Sequence, residues 1–311
     1  MRTDGVRIPA FRCSAVAMLC LLNTECPSLT RGGVTMALTW AIAALVLGAD
    51  PVHVLDNGSI RIEVEPRLFS IRYIGLSTGE NFVAQLSVDP AVADGTEWAD
   101  AGGLQTDILP YSAKDAAIRR GPAEIVEQSE HYIAMLGPPS EATGTRLKKE
   151  ILLHENSTRA RFRVTAQRVG KENTRIALRN TARLPQRCTM RIERTDGELN
   201  VLKGTDSVFP AVVKSRRFWL VPVPPTSEMR GVILGAMLPR VTVALDHGTW
   251  TRRIVEVTTD PASVPNGSTL LCLLDDPSKS YAAAMQGAFA ELKEGDLLTL
   301  EEEWEFERRG R

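Results

Sequence analysis

The residues of this chain that could do chemistry are few, and they gather around one segment without periodicity. Trp98-Ala99-Asp100-Ala101-Gly102-Gly103-Leu104-Gln105-Thr106-Asp107-Ile108-Leu109-Pro110-Tyr111 holds two aromatic side chains, a planar amide and two carboxylates. Aromatic faces pack on the C–H surfaces of sugar rings, and planar amides and carboxylates grip paired hydroxyls, so Trp98, Gln105 and Asp107 are candidate ligand contacts. A plain long loop would also be rich in Gly and Asp. His131 begins an alternating strand beside Tyr132 and could serve as a general acid, with Asp107 as the base. That assignment requires the two groups to converge within about 6 Å of a common pocket. Arg146 and Lys148 share a strand face and could hold hydroxyls or a uronic carboxylate, with Trp219 as a further cleft residue. A solvated strand face would explain the basic pair equally well.

Other chemistry lacks its motifs. Gly75-Leu76-Ser77-Thr78-Gly79 matches the G-x-S-x-G nucleophile elbow in letters only. The elbow needs a helix leading out, whereas Glu80-Asn81-Phe82-Val83 reads as the return of a hairpin. Neither phosphate-cradling glycine pattern occurs, so nucleotide chemistry has no support. His53, His131, His154 and His247 lie far apart with no spacing that would place two on one metal, and no C-x-x-C is present. No metal and no cofactor is expected.

The 37 basic and 38 acidic residues leave a formal net charge of -1, which offers no global attraction for nucleic acid or an anionic membrane. Nucleic acid is therefore not an expected partner. Charge is nonetheless uneven: eleven basic residues and only Glu172 and Glu193 lie between Arg159 and Arg194. Glu301, Glu303, Glu305 and Glu307 share one face of the last strand, as Arg159, Arg161 and Arg163 do on theirs, so cross-strand ion pairing is the economical reading. A polyanion groove is the alternative.

Those candidates must be held by the elements around them, and from Val52 onward the period is two. Ile60, Ile62 and Val64 alternate with Arg61, Glu63 and Glu65, the pattern of a half-buried strand. Similar alternation recurs to Phe306, and Gly231 to Leu238 and Thr269 to Leu274 are continuously apolar, as for strands covered on both sides. Turn signals such as Asp56-Asn57-Gly58, Pro265-Asn266-Gly267 and Lys293-Glu294-Gly295 separate the runs. Helix candidates are limited to Ala113 to Arg120 and Tyr281 to Leu292. A dozen or more strands without intervening helices predict antiparallel sheets packed face to face, an all-β sandwich occupying residues 50–311 as a single domain.

Residues 1–49 differ in composition, with Cys13, Cys20 and Cys26 and two apolar runs, Ala15 to Leu22 and Ala37 to Leu47. Both runs fall short of the roughly 20 residues of a membrane span. An export signal ending near Ala49 is expected, which places the mature protein in the periplasm or outside the cell. A retained amino-terminal membrane anchor, a cytoplasmic protein and a true start at Met36 are the alternatives. Without this segment only Cys188 and Cys272 remain, too few for a disulfide framework.

The order of elements resembles the galactose mutarotase-like (aldose 1-epimerase-like) superfamily. The opening N-G-S-I-R-I-E-V-E-P and F-S-I-R-Y-I-G-L-S-T-G-E-N-F, the Gly102-Gly103 segment, the strand Arg146 to Leu153, the alternating strand ending at Val169 and the close E-L-K-E-G-D-L-L-T-L-E-E-E-W-E-F carry the likeness. It is similar to an uncharacterised bacterial branch and covers roughly residues 52 to 307. The resemblance implies a large antiparallel β-supersandwich with a carbohydrate cleft on one sheet. In aldose epimerases of that fold a glutamate takes the anomeric proton while a histidine protonates the ring oxygen. This sequence departs from that pattern: Tyr281-Ala282-Ala283-Ala284-Met285-Gln286-Gly287 has no acid where related proteins carry the glutamate. No histidine sits in a motif like L-H-G or H-P-Y-F either. The expectation is an exported protein that recognises a saccharide without standard epimerase catalysis. The alternatives are an epimerase-like enzyme using His131 and Asp107, and a structural envelope module with a degenerate cleft.

Overall fold

A computed structural model describes residues 52–77, 79–84, 103–112, 118, 121–185, 187–194, 198–204, 212–223, 231–256, 258–274 and 281–309. Among these residues the chain forms two large antiparallel sheets. The first runs, in spatial order, β1 (His53–Asp56), β2 (Ile60–Glu65), β3 (Ser70–Leu76), β5 (Leu104–Leu109), β10 (Thr174–Leu184), β19 (Tyr281–Gln286), β18 (Leu270–Leu274), β15 (Val232–Ala236) and β12 (Asn200–Lys203). Two short strands extend it, β4 (Glu80–Asn81) on β3 and β20 (Ala290–Leu292) on β10. The second runs β13 (Val213–Lys214), β14 (Phe218–Val223), β11 (Cys188–Glu193), β16 (Arg240–Ala244), β17 (Gly248–Ile254), β21 (Leu297–Arg308), β9 (Arg159–Arg168), β8 (Thr145–Leu153), β7 (Tyr132–Pro139) and β6 (Glu124–Gln128).

Alternation decides which side of each strand meets the other sheet. Ile60, Ile62 and Val64 of β2 are fully buried, each contributing roughly 1.5–3 kcal/mol by leaving water. On β21 the inward set is Leu300, Glu302, Trp304 and Phe306, all buried, and the Trp304 ring stacks on Trp250 of β17 at 4.7 Å. The predicted turn at Asp56-Asn57-Gly58 links the sheets. The Asn57 amide donates to the carbonyls of His154 and Ser157, at 2.6 and 2.9 Å, in the turn between β8 and β9. Gly58 takes φ +80°, a conformation that costs glycine little.

Two charged side chains lie in the middle of this apolar layer. Arg252 and Glu302 are both fully buried, 2.7 Å apart. Arg252 also donates to the carbonyls of Ala283 and Asn180 in the first sheet, at 2.6 and 3.1 Å. The Asn180 amide donates to Glu302 at 2.8 Å and accepts from Thr106, and the Trp304 indole donates to Glu302 at 2.9 Å. These bonds offset part of the pair's desolvation cost, and burial still pulls the Arg252 pKa below its ordinary value.

One element differs from expectation. Tyr281 to Leu292 reads as a helix candidate because of its alanines, yet it forms β19 and β20. β19 lies between β10 and β18 with all six residues buried, and ladder bonds on both sides override the helix preference of alanine. Of Ala113 to Arg120 only Ile118 is described. The return strand expected after Gly79 is present as β4, paired with β3, so a strand stands where the nucleophile elbow would need a helix.

Candidate functional site

β5 and β10, central in the first sheet, carry an unusual outward face. Leu104 and Ile108 join the core between the sheets, so Gln105, Asp107 and Leu109 point away from it, yet all six residues of β5 are buried. On β10, Ile176, Leu178, Ala182 and Leu184 face inward, which turns Arg179, Thr181 and Arg183 to the same side as Asp107. Register places Arg179 opposite Asp107 and Thr181 opposite Gln105. The Arg179 guanidinium donates to Asp107 Oδ2 from Nε and NH2, at 3.1 and 2.8 Å. Side-chain exposures of 12% and 5% mark this as a largely desolvated ion pair rather than a surface one.

Beside that pair, the Thr181 hydroxyl oxygen is buried and has no hydrogen-bond partner among the described residues. Such a group costs about 1–3 kcal/mol unless something else bonds it. Gln105, Asp107, Arg179, Thr181 and Arg183 thus form a row of donors and acceptors on one face, with one hydroxyl left to pair. The arrangement suits paired hydroxyls of a ligand. It suits proton abstraction less, since two N–H donors already occupy Asp107 Oδ2.

Farther along the same face the character changes. Ala282, Ala284 and Gln286 of β19 and Leu271 of β18 continue it, and all are buried. The face therefore has a polar half on β5 and β10 and a mainly apolar half on β19 and β18.

The structure brings Gln105 and Asp107 together and separates them from the other sequence candidates. His131 lies in the turn between β6 and β7, in the second sheet, where its carbonyl accepts from the Leu153 amide at 2.8 Å. Arg146 and Lys148 do share a strand face, as expected, but it is the outward face of the second sheet. There Arg146 donates to the Gly137 carbonyl at 2.8 Å, and Lys148 pairs with Glu150 at 3.0 Å. Burial opposes ionisation of Glu150, but hydrogen bonds from Tyr132 and Lys148 outweigh it and hold the carboxyl below its ordinary range. Trp219 packs against the core at the edge of the second sheet, flanked by Arg194 and Lys214 at 5.3 and 5.0 Å from its ring. Trp98 lies outside the described residues.

Sequence reasoning missed Arg179, Thr181 and Arg183. Their signal was available: in T-R-I-A-L-R-N-T-A-R-L they alternate with Leu178, Asn180 and Ala182, a polar row opposite a largely apolar one. It also missed Lys149, which the alternation of β8 turns inward. The Lys149 amine donates to the Phe69 carbonyl at 2.5 Å and lies 4.1 Å from the Phe69 ring. Burial pulls its pKa down to about 7, partly opposed by the charge of Asp107.

The remaining reactive groups are quiet. Cys188 and Cys272 are free and buried, and burial pushes both thiols up to about 12. Among the described residues no group of three His, Cys, Asp or Glu could hold a metal ion, and no helix is long and apolar enough to cross a membrane.

No family model and no curated protein sequence matches the chain. Solved structures do. A candidate aldose 1-epimerase from Escherichia coli K12 matches with a TM-score of 0.57 at 10% identity, over 83% of this chain and 99% of the other. A galactose mutarotase-related enzyme from Lactobacillus acidophilus gives a TM-score of 0.54 at 10% identity, over 84% and 100%. A galactose mutarotase-like protein from Clostridium acetobutylicum gives 0.56 at 9% identity, over 82% and 95%. The fold is galactose mutarotase-like, as the sequence resemblance implied.

Proposed function

We propose that this chain is an exported saccharide-recognising protein, binding its ligand on the outward face of the first sheet around Asp107 and Arg179. The observation that carries the reading is a row of buried polar groups facing away from the core, with the Thr181 hydroxyl unpaired among the described residues. Core-packing needs do not account for charged groups on that side, whereas a ligand rich in hydroxyls would complete their hydrogen bonds. The fold adds weight, since proteins of this shape include those named for sugar epimerisation.

Epimerase chemistry is not part of the proposal. β19 offers no carboxylate on this face, only Ala282, Ala284 and Gln286. His131, His154 and His247 are not in the first sheet, and His53 shares the inward side of β1 with Leu55. Among the described residues, a reaction that needs acid and base on opposite sides of one ring has no evident pair on this face. The apolar half of the face favours a second reading, a structural envelope module whose cleft has been filled.

One screen separates the two. Thermal unfolding of the protein is followed with neutral sugars, uronic acids and sulfated oligosaccharides. A ligand at a hundred times its dissociation constant adds roughly 2.7 kcal/mol, a shift of several degrees for a chain of this size. A shift with one sugar class, abolished by Thr181→Val and by Arg179→Met, supports recognition on this face. No shift across the panel supports the structural module.

A further inference from the structure

The two edges of the second sheet are open and carry opposite charge. β6, at one edge, has four of its five residues exposed, Val126 among them at 44%. β13, at the other, has both residues exposed, with Val213 at 59%. An edge strand presents unpaired N–H and C=O groups, and an exposed apolar side chain on it adds surface that association would bury.

Glu124, Glu127 and Glu130 follow one another along β6 and the turn beyond it, all exposed and none in an ion pair with another described residue. β7, which backs β6, has no charged residue to offset them. At the far edge Lys214 of β13 and Arg216 and Arg217 of the turn into β14 are exposed. Of these three only Arg217 meets a described carboxylate, that of Glu193 at 3.3 Å, and β14 has no acid.

Charge on an edge strand ordinarily keeps two molecules apart. Here its sign decides which edges are kept apart. β6 of one copy against β6 of another would set glutamate beside glutamate, and β13 against β13 would set cation beside cation, both destabilising. β6 against β13 sets acids beside cations and brings the two exposed valines to one seam.

We infer that this chain associates with further copies of itself edge to edge, β6 of one copy alongside β13 of the next, so that the second sheet runs on from molecule to molecule. The occupant of each edge is a second copy because one chain carries both complementary edges. Since those edges differ, the contact is head to tail and leaves one free edge at each end, which lets the assembly grow. β13 is only two residues long, so few backbone bonds form and charge governs the contact. It does not depend on a saccharide being bound on the first sheet.

Sedimentation velocity of the full chain tests the inference. Mean mass should rise with protein concentration at low ionic strength, and the concentration required should increase at least about tenfold in roughly 500 mM sodium chloride, which screens exposed charges. Glu124→Gln, Glu127→Gln and Glu130→Gln together neutralise one edge, and Lys214→Gln with Arg216→Gln weakens the other. All five positions are exposed, so the fold should be spared. Either variant alone should stay monomeric where the unaltered chain associates. Mixed in equal amounts, the two should form pairs and nothing larger, because one intact acidic edge meets one intact basic edge and both outer edges are blunted. The inference is overturned by a monomer at every concentration, by association indifferent to salt, or by a mixture that forms no pairs or grows as the unaltered chain does. A monomer that instead binds dextran sulfate through Lys214 and Arg216 would assign the basic edge to an acidic polymer and overturn it too. Should a variant fail to fold, the salt and concentration dependence of the unaltered chain decides.

Discussion

The outward face of the second sheet and the β5–β10 strip of the first use the same residue types in opposite ways. On the second sheet, Arg159 pairs with Glu305 at 2.9 Å and Arg163 with Glu301 at 2.7 Å, and Arg253 pairs with Glu303. Exposures of 51% and 39% for the first pair place it in water. On the first sheet, Asp107 and Arg179 make one pair at 5% and 12% exposure. Solvent screens the ladder on the second sheet, so its ion pairs contribute little stability and serve mainly to fix which strands lie side by side. The Asp107–Arg179 pair has lost most of its water and must be held by its neighbours or by a ligand. Pairing of arginine with carboxylate is therefore no guide to function by itself; its hydration is.

That contrast can be pushed from several sides. The largest effect should come from the interior, which neither face shares: Glu302→Ala leaves Arg252 buried and unpaired and should cost about 3–5 kcal/mol in chemical denaturation. On the first sheet, Arg179→Ala should cost about 1.5–3 kcal/mol, because Asp107 loses a charge-assisted partner where water cannot replace it. That loss should be nearly independent of added salt.

Lys149 adds a pH dependence of known sign. Below about pH 7 its amine is charged whether the chain is folded or not, and the folded state bears the whole cost of burying that charge. Between about 7 and the ordinary value of 10.5 the unfolded chain binds the proton and the folded chain does not, so stability from this group rises with pH. Lys149→Met should remove that rise, as read from denaturation midpoints between pH 6 and pH 10. The smallest effect belongs to the second sheet: a double-mutant cycle on Arg163 and Glu301 should give a coupling below about 1 kcal/mol, shrinking as sodium chloride is added. A coupling on Arg163–Glu301 as large as that on Asp107–Arg179 would erase the distinction between the faces.

Much of this arrangement is legible in the sequence. Period-two alternation located β2, β8, β9, β11 and β21, and the facing sets of Glu301 to Glu307 and Arg159 to Arg163 anticipated the register in which Glu301 meets Arg163 and Glu305 meets Arg159. Alternation failed where it met charged residues on the inward side. Glu302 follows Glu301 and precedes Glu303, so three acids in a row hide the one that turns inward. Lys149 is masked in the same way by Lys148. The candidate face was half legible: the side-chain inventory of the Trp98 to Tyr111 segment drew attention to Gln105 and Asp107, but their partners lie some seventy residues away on β10. A single sequence carries no sign of which distant strand will lie alongside.

Two apolar surfaces pressed together resist separation far better than they resist sliding, since a displacement by one side chain exchanges one hydrophobic contact for another. Arg252 reaches across to the carbonyls of both β10 and β19 while holding Glu302 on its own sheet. It works as a key in a keyway: any slip of one sheet over the other would strand a charge in oil, so the two layers can meet at only one setting.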